Sequence, residues 1–353
     1  MTTMIVVPGI WFDGIPAMPA PVGSTAAVML VLLGVLCTAV ALLLRSRLTA
    51  RGSRGRGALR LLHGSLSSPG DREPSPSGRA HGAGGVEGYR SFLIARDGAA
   101  DLQRHRLARR EAFFAGLDAA PLRSHVSIDR GAFGRNLRRR QPEPGLDARM
   151  LWLLASAKAN QAESFAIAYS ELCGRAPTED GDPVRVHLHL QETYHTRILA
   201  DVVALFGLTI EMAPPPTWNR ALIKLMVLAP PRWVMPLIGC SEMIGCVIFQ
   251  ALRDRGSDLL ADEPDVAART RLLYDEILAD EISHVGYVAS QLSRRGLTVM
   301  RWLYRTVGFG MVRQMPELTL LFGADDLQRR LRHFHHDALL AEYPDKAYAA
   351  VVV

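Results

Sequence analysis

Apolar residues run without a charge from residue 24 to residue 44 (STAAVMLVLLGVLCTAVALLL), thin out over 49–88, and return from residue 149 at the three-and-four spacing of amphipathic helices. The first run is long enough for a helix to cross the hydrocarbon layer, and it predicts one transmembrane span. The later pattern predicts helices over 149–173, 184–207, 219–229, 232–254, 264–294, 298–312 and 324–342, punctuated by Gly174, Pro183, Pro264 and Gly296. Strand-type alternation is nearly absent. The expected fold class is all-α: a four-helix bundle with additional helices over 149–345, preceded by one N-terminal transmembrane helix.

Composition divides the remainder. Residues 1–23 form a short tail and 45–88 a linker rich in Gly, Ser, Pro and Arg, which cannot bury enough apolar surface to offset the entropy of ordering. Residues 89–148 form a basic, partly helical extension. The span is followed at once by Arg45, Arg47, Arg51, Arg54, Arg56 and Arg60, whereas the tail carries only Asp13. The positive-inside rule then places the tail outside a single-pass cytoplasmic membrane and the bundle in the cytoplasm. A cleaved signal peptide fits less well, because no Lys or Arg precedes the run and no small-residue cleavage site follows it.

Those six Arg and one acid account for a net +5 of the chain's +6, so a nucleic-acid partner loses its support. Residues 90–140 hold twelve Arg against five acids, an excess suited either to anionic headgroups or to a solvated face. Cys37, Cys173, Cys240 and Cys246 make no CxxC pair, so neither a disulfide framework nor a zinc ribbon is expected.

Candidate chemistry lies on the periodic helices. Only two glutamates are followed three positions later by histidine: Glu192-Thr-Tyr-His195 and Glu281-Ile-Ser-His284. Positions i and i+3 share a helix face, so each pair can offer a carboxylate and an imidazole to one metal. Leu188, Glu192, His195, Leu199 and Val202 fall on one apolar stripe, as do Leu278, Glu281, Val285 and Val288 on another. Buried carboxylates are too costly without a cation or partner. Folding 149–173 back on 184–207 as an antiparallel hairpin brings a residue near 163 opposite 192–195, and Glu163 is the only acid between Asp147 and Glu171. The same reflection in the second hairpin points near residue 238, one turn from Glu242, the only acid between Glu211 and Asp254.

One Glu from each of two helices plus Glu-x-x-His from each of two others is the ligand plan of di-iron carboxylate bundles. On these residues the chain resembles the ferritin-like di-iron carboxylate superfamily over 149–294. The resemblance implies that Glu192 and Glu281 bridge two metal ions, that Glu163 and Glu242 are terminal carboxylates, and that His195 and His284 each bind one ion. It also implies that Asp280 hydrogen-bonds His195 from behind. Four carboxylates balance two divalent ions, and the hard oxygen-rich ligand set suits iron, with manganese the alternative.

Within the superfamily, the lack of a cysteine ribbon, Leu199 where a radical tyrosine would stand, and Ile277 where a further histidine would stand leave the oxygenase and desaturase branch. The expected function is a membrane-anchored oxidoreductase that uses O2 and an electron donor protein to oxidise a hydrophobic organic substrate, with lipid-like molecules among the candidates. The alternative is an iron-oxidising or peroxide-handling protein with no organic substrate. An apolar cavity reaching the metal site would separate the two. Gly239, Gly245, Cys246, Ala159 and Ala166 could either leave such a cavity or permit close helix packing. His333, His335 and His336 lie outside the paired hairpins and are expected at the surface.

Overall fold

A computed structural model describes residues 85–172, 182–210 and 229–348, without the side chains of 164–166, 168–172 and 231. The transmembrane run at 24–44, nearly all of the linker and the helix expected at 219–229 lie outside the described residues. Among the described residues the secondary structure is entirely helical.

Four short helices come first: α1 (Val86–Asp97), α2 (Ala99–Gln103), α3 (Ala108–Ala119) and α4 (Arg130–Leu137). Four long ones follow: α5 (Ala148–Leu172), α6 (Pro183–Ala204), α7 (Pro231–Leu259) and α8 (Pro264–Gln291). The chain closes with α9 (Arg294–Val312), α10 (Pro316–Phe322), α11 (Ala324–Arg332) and α12 (His336–Leu340).

Local chemistry sets the helix starts. The Asp147 carboxylate accepts from Met150 N (2.7 Å) and opens α5, and Asp182 accepts from Val184 N (3.2 Å) beside Pro183 to open α6. Pro264 opens α8 at its first position, there without a side-chain cap. Gly296 does not end a helix as expected. Leu292 is extended, and the Ser293 hydroxyl accepts from Gly296 N (3.2 Å), so Gly296 sits in the first turn of α9. A serine cap outcompetes the glycine break because it satisfies a free helix-end donor. The helix expected over 324–342 is split at His333–His335 into α11 and α12.

The long helices pack in a closed ring, α5 against α6, α6 against α8, α8 against α7 and α7 against α5. Helix α9 covers the outside of α7, α10 lies against α5, and α1 and α2 reach α6 and α8. Between α5 and α7 the fully buried Trp152 donates from Nε1 to Leu252 O (2.9 Å). Gly239 is a packing residue, since a Cβ there would collide with Met300 Sδ of α9. Among the described residues one helix, Arg232–Leu259, is apolar and long enough to cross a membrane, but 78% of its most apolar stretch is buried in this bundle. It is a core helix, and its apolarity is that of an element enclosed on most sides.

Candidate metal centre

The ring brings all six expected residues together in its interior. Glu163 projects from α5, Glu192 and His195 from α6, Glu242 from α7, and Glu281 and His284 from α8, and each is 3% exposed or less. They form two groups: Glu163, Glu192, His195 and Glu281, then Glu192, Glu242, Glu281 and His284. Within each group the donor atoms lie within 4.8 Å of one another. Glu192 and Glu281 belong to both, so the geometry is that of two adjacent cation positions sharing two carboxylates.

Both imidazoles face inward through Nδ1. His195 Nδ1 is 3.3 Å from Glu192 Oε2 and 3.4 Å from Glu281 Oε1, while His284 Nδ1 is 3.1 Å from Glu192 Oε1 and 3.7 Å from Glu242 Oε2. Glu163 Oε2, Glu192 Oε2, His195 Nδ1, Glu242 Oε2 and Glu281 Oε1 are buried without a hydrogen-bond partner. Orphaned polar atoms of this kind cost about 1–3 kcal/mol each. Five of them converging on one interior point is a donor set shaped for cations, and the residues therefore fit a pair of metal ions.

Electrostatics agree. Burial, then the charges of Glu192 and Glu281, holds the Glu163 carboxyl well above the usual carboxylate range, and burial with Glu281 does the same to Glu242. Burial also opposes ionisation of Glu192, but the His284 and His195 imidazoles override it and hold that carboxyl below its usual value. Burial would lower His284, yet Glu192 and Glu242 raise it to about 10, and His195 is raised by Asp280, Glu192 and Glu281. Protons occupy this site when cations do not.

Behind the donors, the two imidazoles are held symmetrically. His195 Nε2 donates to Asp280 Oδ2 (3.3 Å), and His284 Nε2 donates to Gln191 Oε1 (3.0 Å). Each acceptor immediately precedes the glutamate of the opposite pair, and Gln191 Nε2 also donates to Asp280 Oδ1 (3.3 Å). Gln191 was not foreseen from sequence. The signal was available, because Gln191-Glu192-x-x-His195 repeats Asp280-Glu281-x-x-His284.

Asp280 is clamped by two arginines of the basic extension. Arg96 Nη1 donates to its Oδ1 (2.9 Å) and Arg110 Nη2 to its Oδ2, while Arg110 Nη1 donates to Glu276 Oε2 (2.5 Å). Arg109 joins Glu276 (2.8 Å), and Asp97 accepts from Arg96 and meets His187 Nε2 (2.9 Å). Part of the extension's positive charge is thus turned inward, against both surface readings of it. Burial disfavours the Asp280 charge, but Arg110 and Arg96 outweigh that and hold its carboxyl well below the usual range.

Gly245 and the small residues of α5 open one approach. A small cavity of ≈ 20 Å³, room for about one water molecule, reaches Glu163 and Glu281 between α5 and α7, lined by Ala159, Ala162, Gly245, Ile248, Phe249 and Met315 with Ser241. A Cβ on Gly245 would stand 2.9 Å from Glu281 Oε2, so the glycine serves close approach to the carboxylate as well. Ala166 falls among the side chains not described. His333 and His335 are exposed, but His336 is not a surface histidine: its Nε2 donates to Ile282 O (3.1 Å) and only 9% of its side chain is exposed. The helix turn at His335 swings it inward.

No family model, curated protein or solved structure matches the chain. What the findings define is a helical protein with a buried carboxylate and histidine cluster able to hold metal ions.

Proposed function

We propose that this protein is a di-iron oxidoreductase of ferritin-like type, tethered to a membrane, that uses O2 to hydroxylate, desaturate or otherwise oxidise a hydrophobic organic substrate. The observation that carries the reading is the small, apolar-lined cavity that ends at Glu163 and Glu281, two members of a donor set built for paired cations. A site that only stored or oxidised iron would gain nothing from an apolar approach, since hydrated ions enter along polar paths.

In this reading Glu163, His195 and the shared Glu192 and Glu281 hold one ion, and Glu242, His284 and the same shared pair hold the other. A pair of ferrous ions held there would supply electrons for the reduction of O2. The chain does the rest. Asp280 and Gln191 accept the Nε2 protons of His195 and His284, which leaves each Nδ1 lone pair directed at the centre and fixes the ring orientation. Arg96 and Arg110 keep Asp280 ionised, so it accepts and never donates at that position. Ala159, Ala162, Ile248 and Phe249 give the approach to the carboxylates an apolar lining, and an apolar chain would enter by widening it.

Iron quantification and optical spectroscopy of anaerobically loaded protein, before and after O2, test the reading, followed by mass spectrometry of extracted lipids. About two irons per chain, an O2-dependent spectral change and an oxidised product are expected. The absence of an O2-dependent change overturns it, and so does iron turnover with every candidate substrate unaltered.

A further inference from the structure

Helix α9 presents an outer face with no partner among the described residues. Its two faces are sharply different. Met300, Leu303, Tyr304, Val307, Met311 and Val312 are buried against the bundle, while Val299 and Trp302 are 44% and 48% exposed. Arg294, Arg295, Arg301, Arg305 and the capping Arg313 are exposed as well, and the helix has no Asp or Glu.

Arginines 96, 109, 110, 149, 197, 253 and 330 each meet a carboxylate, and single ones such as Arg104, Arg185 and Arg332 do not; on α9, among the described residues, all five are without an ion pair. The acids nearest in sequence, Glu317 of α10 and Asp325 and Asp326 of α11, make no ion pair with them: Glu317 binds Lys158, and Asp326 binds Arg329 and Arg330. On the 100° helical repeat, Arg295, Trp302, Phe309 and Arg313 fall along one line, with Arg305 beside it and Val299 on the other side. An indole flanked by unpaired guanidiniums with no acid between them is the composition of a helix lying in a bilayer interface: the ring enters the headgroup and acyl boundary, and the arginines meet anionic phosphates.

We infer that the outer face of α9 docks the domain onto an anionic lipid surface, with Trp302 inserted and Arg295, Arg301 and Arg305 on the headgroups. The occupant is argued from charge: a soluble protein partner able to cover this face would need an acidic patch, whereas an anionic bilayer offers such a patch without limit and lies within reach if the run at 24–44 spans it.

The test uses the full chain in lipid nanodiscs, either zwitterionic phosphatidylcholine or phosphatidylcholine with phosphatidylglycerol, with acyl-brominated lipid as quencher. The wild-type minus Trp302→Phe difference emission isolates Trp302 from the other four tryptophans. Quenching is expected in anionic discs, with a shift of emission to shorter wavelength, and roughly tenfold less docking in Arg301→Glu/Arg305→Glu. Arg301→Lys/Arg305→Lys should restore it, and unchanged helix content in far-ultraviolet circular dichroism shows that the variants fold. Unquenched Trp302 in anionic discs overturns the inference and hands the face to a protein partner, and so does equal quenching in both lipids. Neither outcome touches the metal centre, whose iron content is read on the same samples.

Discussion

Replacing Glu242 with methionine should stabilise the metal-free protein while removing much of its response to metal. Glu242 is the member of the cluster for which the primary structure argues least, resting on its being the only acid in its stretch of chain. In the structure it is 3% exposed, its Oε2 has no hydrogen-bond partner, and its carboxyl is raised by burial and by Glu281. The orphaned oxygen costs about 1–3 kcal/mol. Methionine matches the side chain in length and helix propensity, so no large cavity forms. His284 loses a contact at 3.7 Å but keeps Glu192 at 3.1 Å, which limits the loss. The net gain should be about 1–2 kcal/mol, or roughly 2–8 °C in Tm at the 2–4 °C per kcal/mol of a domain this size. In the wild type, one ion at 100 times its Kd adds about 2.7 kcal/mol. The variant should forfeit the share of the ion that Glu242 helps to hold, so roughly half the total increment. Calorimetry in chelator and then in anaerobic Fe(II) or Mn(II) reads both numbers. A drop of several degrees in the chelated variant, or an undiminished metal increment, would refute the assignment of Glu242 as a donor.

Other consequences follow from the same geometry. Gly245→Ala puts a Cβ 2.9 Å from Glu281 Oε2, so metal affinity by calorimetric titration should fall 10–100-fold while chelated Tm changes little, the helix gain of about 1 kcal/mol offsetting the clash. Gln191→Leu removes the acceptor of His284 Nε2 and should weaken metal binding 10–100-fold at nearly constant fold stability. Asp280→Asn should do the same to His195 but also leave Arg96 and Arg110 with an uncompensated buried charge, for a loss of about 3–5 kcal/mol in chemical denaturation. The groups raised in the metal-free state set the pH dependence. The carboxyls of Glu163 and Glu242 and the imidazole of His284 (about 10) favour the folded chain below their unfolded pKa values, and that contribution is lost as pH rises through the folded ones. Chelated stability should therefore fall from the carboxylate range towards pH 10, and the stabilisation by metal, which displaces those protons, should grow across the same window in Tm measured with and without Mn(II).

The primary structure by itself determines everything here that depends on the helical repeat. Glu192 with His195 and Glu281 with His284 share faces because three residues make nearly one turn, and Glu163 lies opposite them because an antiparallel hairpin reflects residue numbers about its loop. Glu242, one turn from the reflected position, is reached because helix α7 runs on to Leu259 and shifts the loop. Helix ends were less legible at Ser293 and at His333–His335, where a cap and a turn decide and the apolar period does not change. What only tertiary structure decides is how Asp280 is held. Arg96 and Arg110 come to it from 184 and 170 residues away, out of a segment whose composition reads as a charged surface. Nothing in local spacing distinguishes an arginine that will face water from one that will be buried, because the distinction belongs to the carboxylate it meets, and that meeting is set by how α1 and α3 pack onto the bundle.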